Sequence, residues 1–111
     1  MNISLDAIRE FLKIFRDFTK HYRFFIWSRR DSLQTLTDLG ISIEDFKRML
    51  CNLTPHDCYS GPHQDTQYNY LECWVFKMTI QGKILYVRLQ VDWEEKVAIC
   101  QSVHPPKYPM K

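Results

Sequence analysis

Three runs of residues decide the fold: Cys73-Trp-Val-Phe-Lys-Met-Thr-Ile80, Ile84-Leu-Tyr-Val-Arg-Leu-Gln-Val91 and Val97-Ala-Ile-Cys-Gln-Ser-Val103. Each run is rich in β-branched and aromatic residues and is flanked by turn-forming or charged residues, which is typical of β-strands. A short segment around Gly82 separates the first two runs, and the charged segment 92–96 separates the second from the third. The sequence therefore predicts two consecutive hairpins and a small antiparallel sheet.

Alternation along the strands divides their side chains between two faces, because successive residues of a strand point to opposite sides. The face predicted to lie on the core takes Trp74, Phe76, Met78, Ile80, Leu85, Val87, Leu89, Val91, Val97, Ile99 and Val103. The face predicted to be open to solvent takes Val75, Lys77, Thr79, Tyr86, Arg88, Gln90, Ala98, Cys100, Ser102 and His104. A bulge of one residue would change this division, since it reverses the alternation beyond it.

The predicted open face carries side chains that suit a phosphate backbone. Guanidinium and ammonium groups bind phosphate oxygens, and a phenol and an imidazole can donate and accept hydrogen bonds beside them. The same groups also suit acid–base chemistry that needs no metal. The residues concerned are Lys77, Tyr86, Arg88, Ser102 and His104.

Length and composition indicate one domain, spanning residues 1–111. A hydrophobic share of 45% is sufficient for a core at this length. The formal net charge is only +2, so contact with a nucleic acid would need a local basic patch.

Nothing in the sequence predicts a membrane span or a secretion signal, since Asp6, Arg9 and Glu10 interrupt the N-terminal region. The four cysteines show no CxxC spacing, which argues against a zinc site and a disulfide framework. These features favour a reduced, cytoplasmic setting with no cofactor and no membrane partner.

Helices are predicted before the sheet. Residues 4–22 have an amphipathic pattern with Ser4 as N-cap, and the apolar stripe either covers the sheet or docks a partner protein. Residues 31–39 predict a second helix that buries Leu33, Leu36 and Leu39 and ends at Gly40. A third helix is predicted after the N-cap Ser42, and its buried residues are Phe46, Met49, Leu50 and Leu53.

Segments between these elements leave alternatives open. Residues 22–27 predict either an added strand at the sheet edge or the tail of the first helix. Arg29 and Arg30 are either surface charge or an extension of the basic surface toward an RNA strand. The prolines after His104 predict an extended tail along the surface that holds the imidazole at the end of the sheet.

Residues 54–72 predict a long polar loop with a turn at Ser60-Gly61-Pro62. Its hydrogen-bonding side chains include His56, His63, Gln64 and Asp65. A metal site from the two histidines and Asp65 is conceivable, but their spacing matches no standard ligand pattern, so no metal is expected.

The order of signals resembles a known family. Leu-Gly-Ile-Ser at 39–42 precedes a helix, and Asp57-Cys-Tyr-Ser-Gly-Pro62, Trp74-Val-Phe76, Leu85-Tyr-Val-Arg-Leu89 and Ser102-Val-His104 follow. This set resembles the MqsR-type toxins of bacterial type II toxin–antitoxin systems (the motility quorum-sensing regulator family). The resemblance implies a RelE-like α+β fold, with N-terminal helices on one face of a small antiparallel sheet. It also implies a metal-independent endoribonuclease that cleaves messenger RNA and inhibits translation and growth. The implied partners are mRNA and a cognate antitoxin of helix-turn-helix type, with the ribosome as a further candidate.

The resemblance carries over only in part. Tyr86 and Arg88 match a tyrosine and a cation of the family, although that cation is usually lysine. Ser60 stands where the archetype has a lysine, and Val75 stands where it has a glutamine. His104 corresponds best to a basic residue close after the last strand.

For cleavage we expect Arg88, helped by Lys77, to hold the scissile phosphate. We expect His104 to act as acid or base, and Tyr86 to transfer protons with the help of nearby cations, with His63 in reserve. The candidate substrate-binding residues are Lys77, Ser60, Gln64, Ser102, Arg29 and Arg30.

The alternative to these catalytic and binding roles is that each residue has only a structural role. Tyr86 would then only pack, His104 would cap the strand end, and Arg88 would pair with Glu72 or Asp92. The alternative function is a non-catalytic module of the same fold that binds RNA or a protein.

Overall fold

The computed structural model describes residues 4–27, 29–64 and 72–110. Those residues form helices α1 (Leu5–His21), α2 (Arg30–Leu39) and α3 (Ile43–Leu50), a 3-10 helix (Pro55–Asp57), and strands β1 (Arg23–Ile26), β2 (Cys58–Gln64), β3 (Glu72–Ile80), β4 (Lys83–Asp92) and β5 (Val97–His104). The predicted α+β class and the N-terminal position of the helices are confirmed. Within these ranges no helix is both long enough and apolar enough to cross a bilayer.

The sheet is mixed, not antiparallel as predicted. Its strand order is β1-β5-β4-β3-β2, and every neighbouring pair is antiparallel except β1 with β5, in which Phe25 pairs with Ile99 in parallel register. The edge-strand interpretation of residues 22–27 is therefore the correct one. A parallel pair needs a long connection, and the chain from β1 to β5 supplies it.

The prediction of one continuous loop over residues 54–72 is wrong. Cys58–Gln64 forms β2, which pairs with β3, and the predicted turn at Ser60-Gly61-Pro62 lies within this strand. Its pairing register shifts on both sides of Ser60, so β2 lacks the regular alternation by which strands are recognised. Asp65 lies outside the described residues.

Helix α1 covers the core face of the sheet, which is the first of the two uses predicted for its apolar stripe. Phe15 and Phe76 are fully buried. The Phe11 ring lies 5.8 Å from the Trp74 ring and 6.1 Å from the Phe76 ring, measured between centroids. Burial of such side chains is worth about 2 kcal/mol each and fixes the helix across the strands.

The serine N-caps of α1 and α3 and the glycine end of α2 are confirmed, but α3 ends at Leu50, so Leu53 is buried beyond the helix and not within it as predicted. One predicted buried position of α2 is also wrong. The hydroxyls of Ser4 and Ser42 accept hydrogen bonds from backbone N–H groups of the first turns of α1 and α3, and Gly40 ends α2 with a left-handed φ of 68°. Leu33 is 38% exposed, because α2 buries Ser32 and Thr35 instead. The Ser32 hydroxyl accepts a hydrogen bond from the Val103 N–H at 3.0 Å, which anchors α2 to β5.

A bulge in β5 reverses part of the predicted face assignment. Arg88 pairs with Ser102 but Leu89 pairs with Cys100, so Gln101 is an extra residue between them. Before the bulge, Ala98 and Cys100 therefore join the core, and Val97 and Ile99 lie on the opposite face. After the bulge, Ser102, Val103 and His104 keep the predicted alternation.

The face opposite the core is also less open than predicted. Val75 is 2% exposed and Gln90 is fully buried. The Cys73 thiol donates a hydrogen bond to the Gln90 side-chain oxygen at 3.2 Å. Open solvent therefore reaches this face mainly at the end of the sheet where β4 begins and β5 ends.

Candidate functional site

A pocket of ≈ 570 Å³ lies over the face of β4 and β5 that is turned away from the core. Its floor is formed by side chains of these two strands, namely Tyr86, Arg88, Gln101, Ser102 and His104. Its walls come from the segment after β1, from β2 and from the tail after β5, namely Trp27, Arg29, Tyr59, Pro106, Lys107, Tyr108, Pro109 and Met110. The structure therefore brings four of the predicted site residues on the strands into one pocket, and adds Arg29.

Tyr86 and His104 occupy directly paired positions on β4 and β5. Their rings are stacked, with centroids 4.9 Å apart and an interplanar angle of 18°. Both side chains are partly exposed in the pocket. A phenol and an imidazole held in this way can transfer protons to and from the same bound group.

The backbone decides which nitrogen of the His104 ring is available to a ligand. Nδ1 lies 2.8 Å from the Pro105 carbonyl oxygen, and a carbonyl can only accept, so Nδ1 carries the hydrogen. In the neutral ring, Nε2 is then unprotonated and able to take a proton. The Pro105 carbonyl thus sets the tautomer needed for a general base.

Arg88 supplies a positioned cation beside this pair. Its Nε donates to the Gln101 side-chain oxygen at 3.1 Å, and not to Glu72 or Asp92 as the structural alternative required. Burial by itself would lower the pKa of Arg88, but interactions with Cys73 and Tyr86 outweigh burial and raise that pKa. The guanidinium therefore stays charged at neutral pH.

Arg29 adds a second cation at the β1 side of the pocket. Its guanidinium donates to the Ser102 hydroxyl at 3.3 Å and lies 4.9 Å from the centroid of the Trp27 ring. Ser102 is 5% exposed, so its hydroxyl serves mainly to hold Arg29.

A smaller pocket of ≈ 260 Å³ adjoins the first one and shares Arg29, Ser102, His104 and Lys107 with it. Arg30 also lines this second pocket and is exposed. The basic surface therefore continues from Arg88 to Arg30. Phosphates that follow one another along a nucleic-acid strand would meet successive cations on it.

The remaining predicted residues lie outside the main pocket. The Ser60 hydroxyl and His63 Nε2 are 2.9 Å apart and bond to each other within β2, and Gln64 pairs with Glu72 at the end of that strand. Lys77 pairs with Tyr86 in the sheet register, but its amine donates to the Met110 carbonyl at 3.4 Å.

The geometry therefore does not place Lys77 on a phosphate in the main pocket, nor His63 as the second proton-transfer group. His56 is exposed on the 3-10 helix. Within the described ranges, no three His, Cys, Asp or Glu side chains are grouped to hold a metal ion.

Sequence reasoning did not identify several residues of the pocket: Trp27, Tyr59, Gln101, Lys107 and Tyr108. The tail was predicted to run along the surface, and its return over the sheet face follows from tertiary contacts. One signal in the sequence could have indicated that the tail lines the pocket: prolines together with Lys107 and Tyr108 directly follow a strand that carries site residues.

Among the described residues that line the main pocket, the charged side chains are all cations and none is a carboxylate, whereas the adjoining pocket also has Asp31 in its lining. Acid–base groups, cations and exposed rings together can bind a phosphodiester and move protons on it. No established protein family matches the sequence, and no curated protein shows significant similarity to it.

Proposed function

We propose that this protein is an endoribonuclease that cleaves single-stranded RNA by attack of a ribose 2′-OH on the adjacent phosphate. The observation that carries the proposal is the stacked pair of Tyr86 and His104 beside Arg88 in one pocket. RNA brings its own nucleophile, and cations can neutralise the charge that develops on the phosphate, so the reaction needs no metal.

In the proposed reaction, His104 Nε2 removes the proton from the 2′-OH. The 2′-oxygen then forms a bond to phosphorus, the bond from phosphorus to the 5′-oxygen breaks, and Tyr86 donates its proton to that leaving oxygen. The products are a 2′,3′-cyclic phosphate and a 5′-OH. The phenolate recovers its proton from the imidazolium, so both side chains return to their starting states.

Arg88 and Arg29 stabilise the additional negative charge on the phosphate oxygens during the attack. Arg88 also interacts with Tyr86, which keeps its guanidinium next to the proton-donating phenol. This assignment replaces Lys77 and His63, which the structure places elsewhere.

The test is cleavage of a synthetic RNA by purified protein in the presence of EDTA, with analysis of the product ends. Tyr86→Phe and His104→Ala should each lower the cleavage rate by about 10²- to 10⁴-fold, the usual contribution of a general acid or base. Tyr22→Phe and His21→Ala are matched controls, because both residues are exposed and outside the pocket. Equal rates for all four variants and the parent would contradict the proposal.

The wider proposal is that the chain is a toxin of the MqsR type with a RelE-like fold, silenced by a helix-turn-helix antitoxin. Its support is the resemblance in motif order, together with an N-terminal helix on one face of three consecutive antiparallel strands. Induced expression in a bacterium should arrest growth, and Tyr86→Phe should relieve the arrest. Normal growth on expression of the folded parent would argue against a toxin.

One observation favours the second candidate, a non-catalytic RNA-binding module. Val75 is 2% exposed and Ser60 bonds to His63, so neither position offers a catalytic group to the pocket. The resembled family has a glutamine and a lysine at these two positions. A protein that binds 2′-O-methyl RNA but leaves unmodified RNA intact would establish this second function.

A further inference from the structure

The tail after β5 forms one wall of the pocket without joining the core. Tyr108 is 81% exposed although it lines the pocket, so no packing requirement explains a large ring at this position. Pro106 and Pro109 restrict the backbone on either side of it. The tail is also held at its far end, since the Lys77 amine donates to the Met110 carbonyl at 3.4 Å.

A second exposed ring lies on β2. Tyr59 lines the same pocket and is 38% exposed. β2 and β5 are separated by β3 and β4, and neighbouring strands are about 4.8 Å apart, so these two strands are roughly 14 Å apart. The pocket therefore runs across the strands, with Tyr59 on the β2 side and the cations toward β1.

The other groups of the pocket suit a phosphodiester and not an apolar ligand. Arg88 and the acid–base pair lie on the floor, and Arg29 and Lys107 lie beside them. A nucleotide strand with its phosphate on these cations would turn its bases toward the walls of the pocket. Unpaired bases are recognised by stacking on exposed aromatic rings, at about 1–3 kcal/mol per base.

We propose that Tyr59 and Tyr108 are base-stacking residues that bind unpaired nucleotides next to the scissile phosphate. Lys77 is a positioning residue that holds the tail so that the Tyr108 ring stays at the pocket. The inference rests on the proposed function, because it takes RNA as the ligand of the same site. It adds that the site binds exposed bases, which gives a physical reason for the single-stranded substrate already proposed.

The binding test uses a fluorescent 2′-O-methyl heptanucleotide, which the proposed reaction cannot cleave, and measures Kd by anisotropy. Tyr108→Ala and Tyr59→Ala should each weaken binding by about 5- to 150-fold, whereas Tyr108→Phe should bind like the parent because it keeps the ring. Tyr22→Ala is the matched control, since Tyr22 is an exposed tyrosine outside the pocket. A Kd for Tyr108→Ala within twofold of the parent would overturn the role of the tail.

A second ligand distinguishes the contribution of the bases to binding from that of the phosphates. A heptamer of the same backbone in which the three central nucleotides are abasic keeps every phosphate and should bind at least about 5-fold more weakly to the parent. The ratio of the Kd values for the abasic and intact heptamers should be smaller in Tyr108→Ala, because this variant has already lost one stacking ring. If the abasic heptamer binds as tightly as the intact one, the pocket binds only the phosphates and the inference is wrong.

The positioning role of Lys77 predicts a particular pattern of variants. Lys77→Ala should weaken binding and Lys77→Arg should restore it, since arginine can also donate to the Met110 carbonyl. The double variant Lys77→Ala/Tyr108→Ala should bind no more weakly than Tyr108→Ala alone, because both changes remove the same contact. Additive losses would show that Lys77 contacts the RNA itself and would overturn its positioning role.

These outcomes are independent of catalysis. Base-dependent binding without cleavage of unmodified RNA would support the stacking roles of Tyr59 and Tyr108 and contradict the endoribonuclease activity. Cleavage of unmodified RNA together with equal binding of the intact and abasic heptamers would support the endoribonuclease activity and contradict the stacking roles.

Discussion

Tyr86 and His104 lie opposite each other on neighbouring antiparallel strands, and their rings stack with centroids 4.9 Å apart. The pairing exists because Gln101 is accommodated as a bulge in β5. With Leu89 opposite Cys100, an unbulged strand would place Val103 opposite Tyr86 and turn His104 toward the core face. One inserted residue thus lets the same strand give Cys100 to the core and His104 to the pocket.

The Gln101 side chain should be needed to hold the Arg88 guanidinium in its position in the pocket. Gln101→Ala removes the acceptor for Arg88 Nε, so we expect several-fold weaker binding of the 2′-O-methyl heptanucleotide, with about 10-fold as a typical loss. Gln34→Ala, a change on the exposed surface of α2, is the control. The anisotropy titration above measures both, and parental affinity in Gln101→Ala would show that Arg88 needs no such support.

The salt dependence of binding should distinguish the two interpretations of Arg30. If Arg30 contacts a phosphate, Arg30→Gln weakens binding at low salt and lowers the slope of log K against log salt by about 0.7. Arg9→Gln is the control, since Arg9 is exposed on α1 and pairs with Asp6. A slope unchanged by Arg30→Gln would leave Arg30 as surface charge.

Stability should fall at alkaline pH because of a buried thiol. Burial raises the pKa of Cys100 to about 12, so the folded chain keeps a proton that the unfolded chain loses near pH 8.5. The stabilising contribution is complete below the unfolded pKa and is lost as pH rises toward the folded value. Between about pH 9 and 12 it should fall by about 1.4 kcal/mol per pH unit.

Urea unfolding at several pH values tests this contribution. Cys100→Ala should show a shallower fall of unfolding free energy between pH 9 and 11 than the parent, whatever its stability at neutral pH. Cys51→Ala, at a half-buried thiol, should keep the parental slope. Identical slopes in the parent and Cys100→Ala would contradict the assignment.

The attachment of β2 to the sheet should depend on Gly61. A Cβ at this position would lie 2.8 Å from a ring carbon of Trp74, and its φ of 139° is unfavourable for other residues. Gly61→Ala should therefore destabilise the fold by about 3 kcal/mol. Gly82→Ala in the β3–β4 turn is the control.

Gly82 also has a positive φ, but a Cβ there would meet no atom within 4 Å. Its replacement should cost only about 1–2 kcal/mol. Chemical denaturation measures both values, and equal losses would show that the contact with Trp74 relaxes freely.

Some of the candidate site followed from strand alternation alone. Leu85, Val87, Leu89 and Val91 were predicted to face the core and are buried, which places Tyr86 and Arg88 on the opposite face. The predicted faces of Val97, Ala98, Ile99 and Cys100 were wrong because the bulge changes which residues of β5 oppose β4. Nothing in the local sequence around Gln101 marks this change.

The contribution of the tail and of β2 could not be predicted either. Tyr108 lies at the pocket on a tail whose Met110 carbonyl accepts a hydrogen bond from the Lys77 amine, 33 residues earlier in the chain. Tyr59 reaches it through an irregular strand whose register shifts conceal the usual alternation. Both depend on contacts between distant segments, which a local pattern does not contain.

By itself the sequence determined the helices with their serine and glycine ends, the three consecutive strands, and the apolar face of β4. Those features depend on neighbouring residues, whose spacing sets helix capping and strand pleating. Only the tertiary structure decided the parallel pairing of β1 with β5, the bulge at Gln101, and the pocket formed by β2 and the tail. Each of these is a choice of register or partner between segments far apart in the chain, and packing of the whole sheet makes that choice.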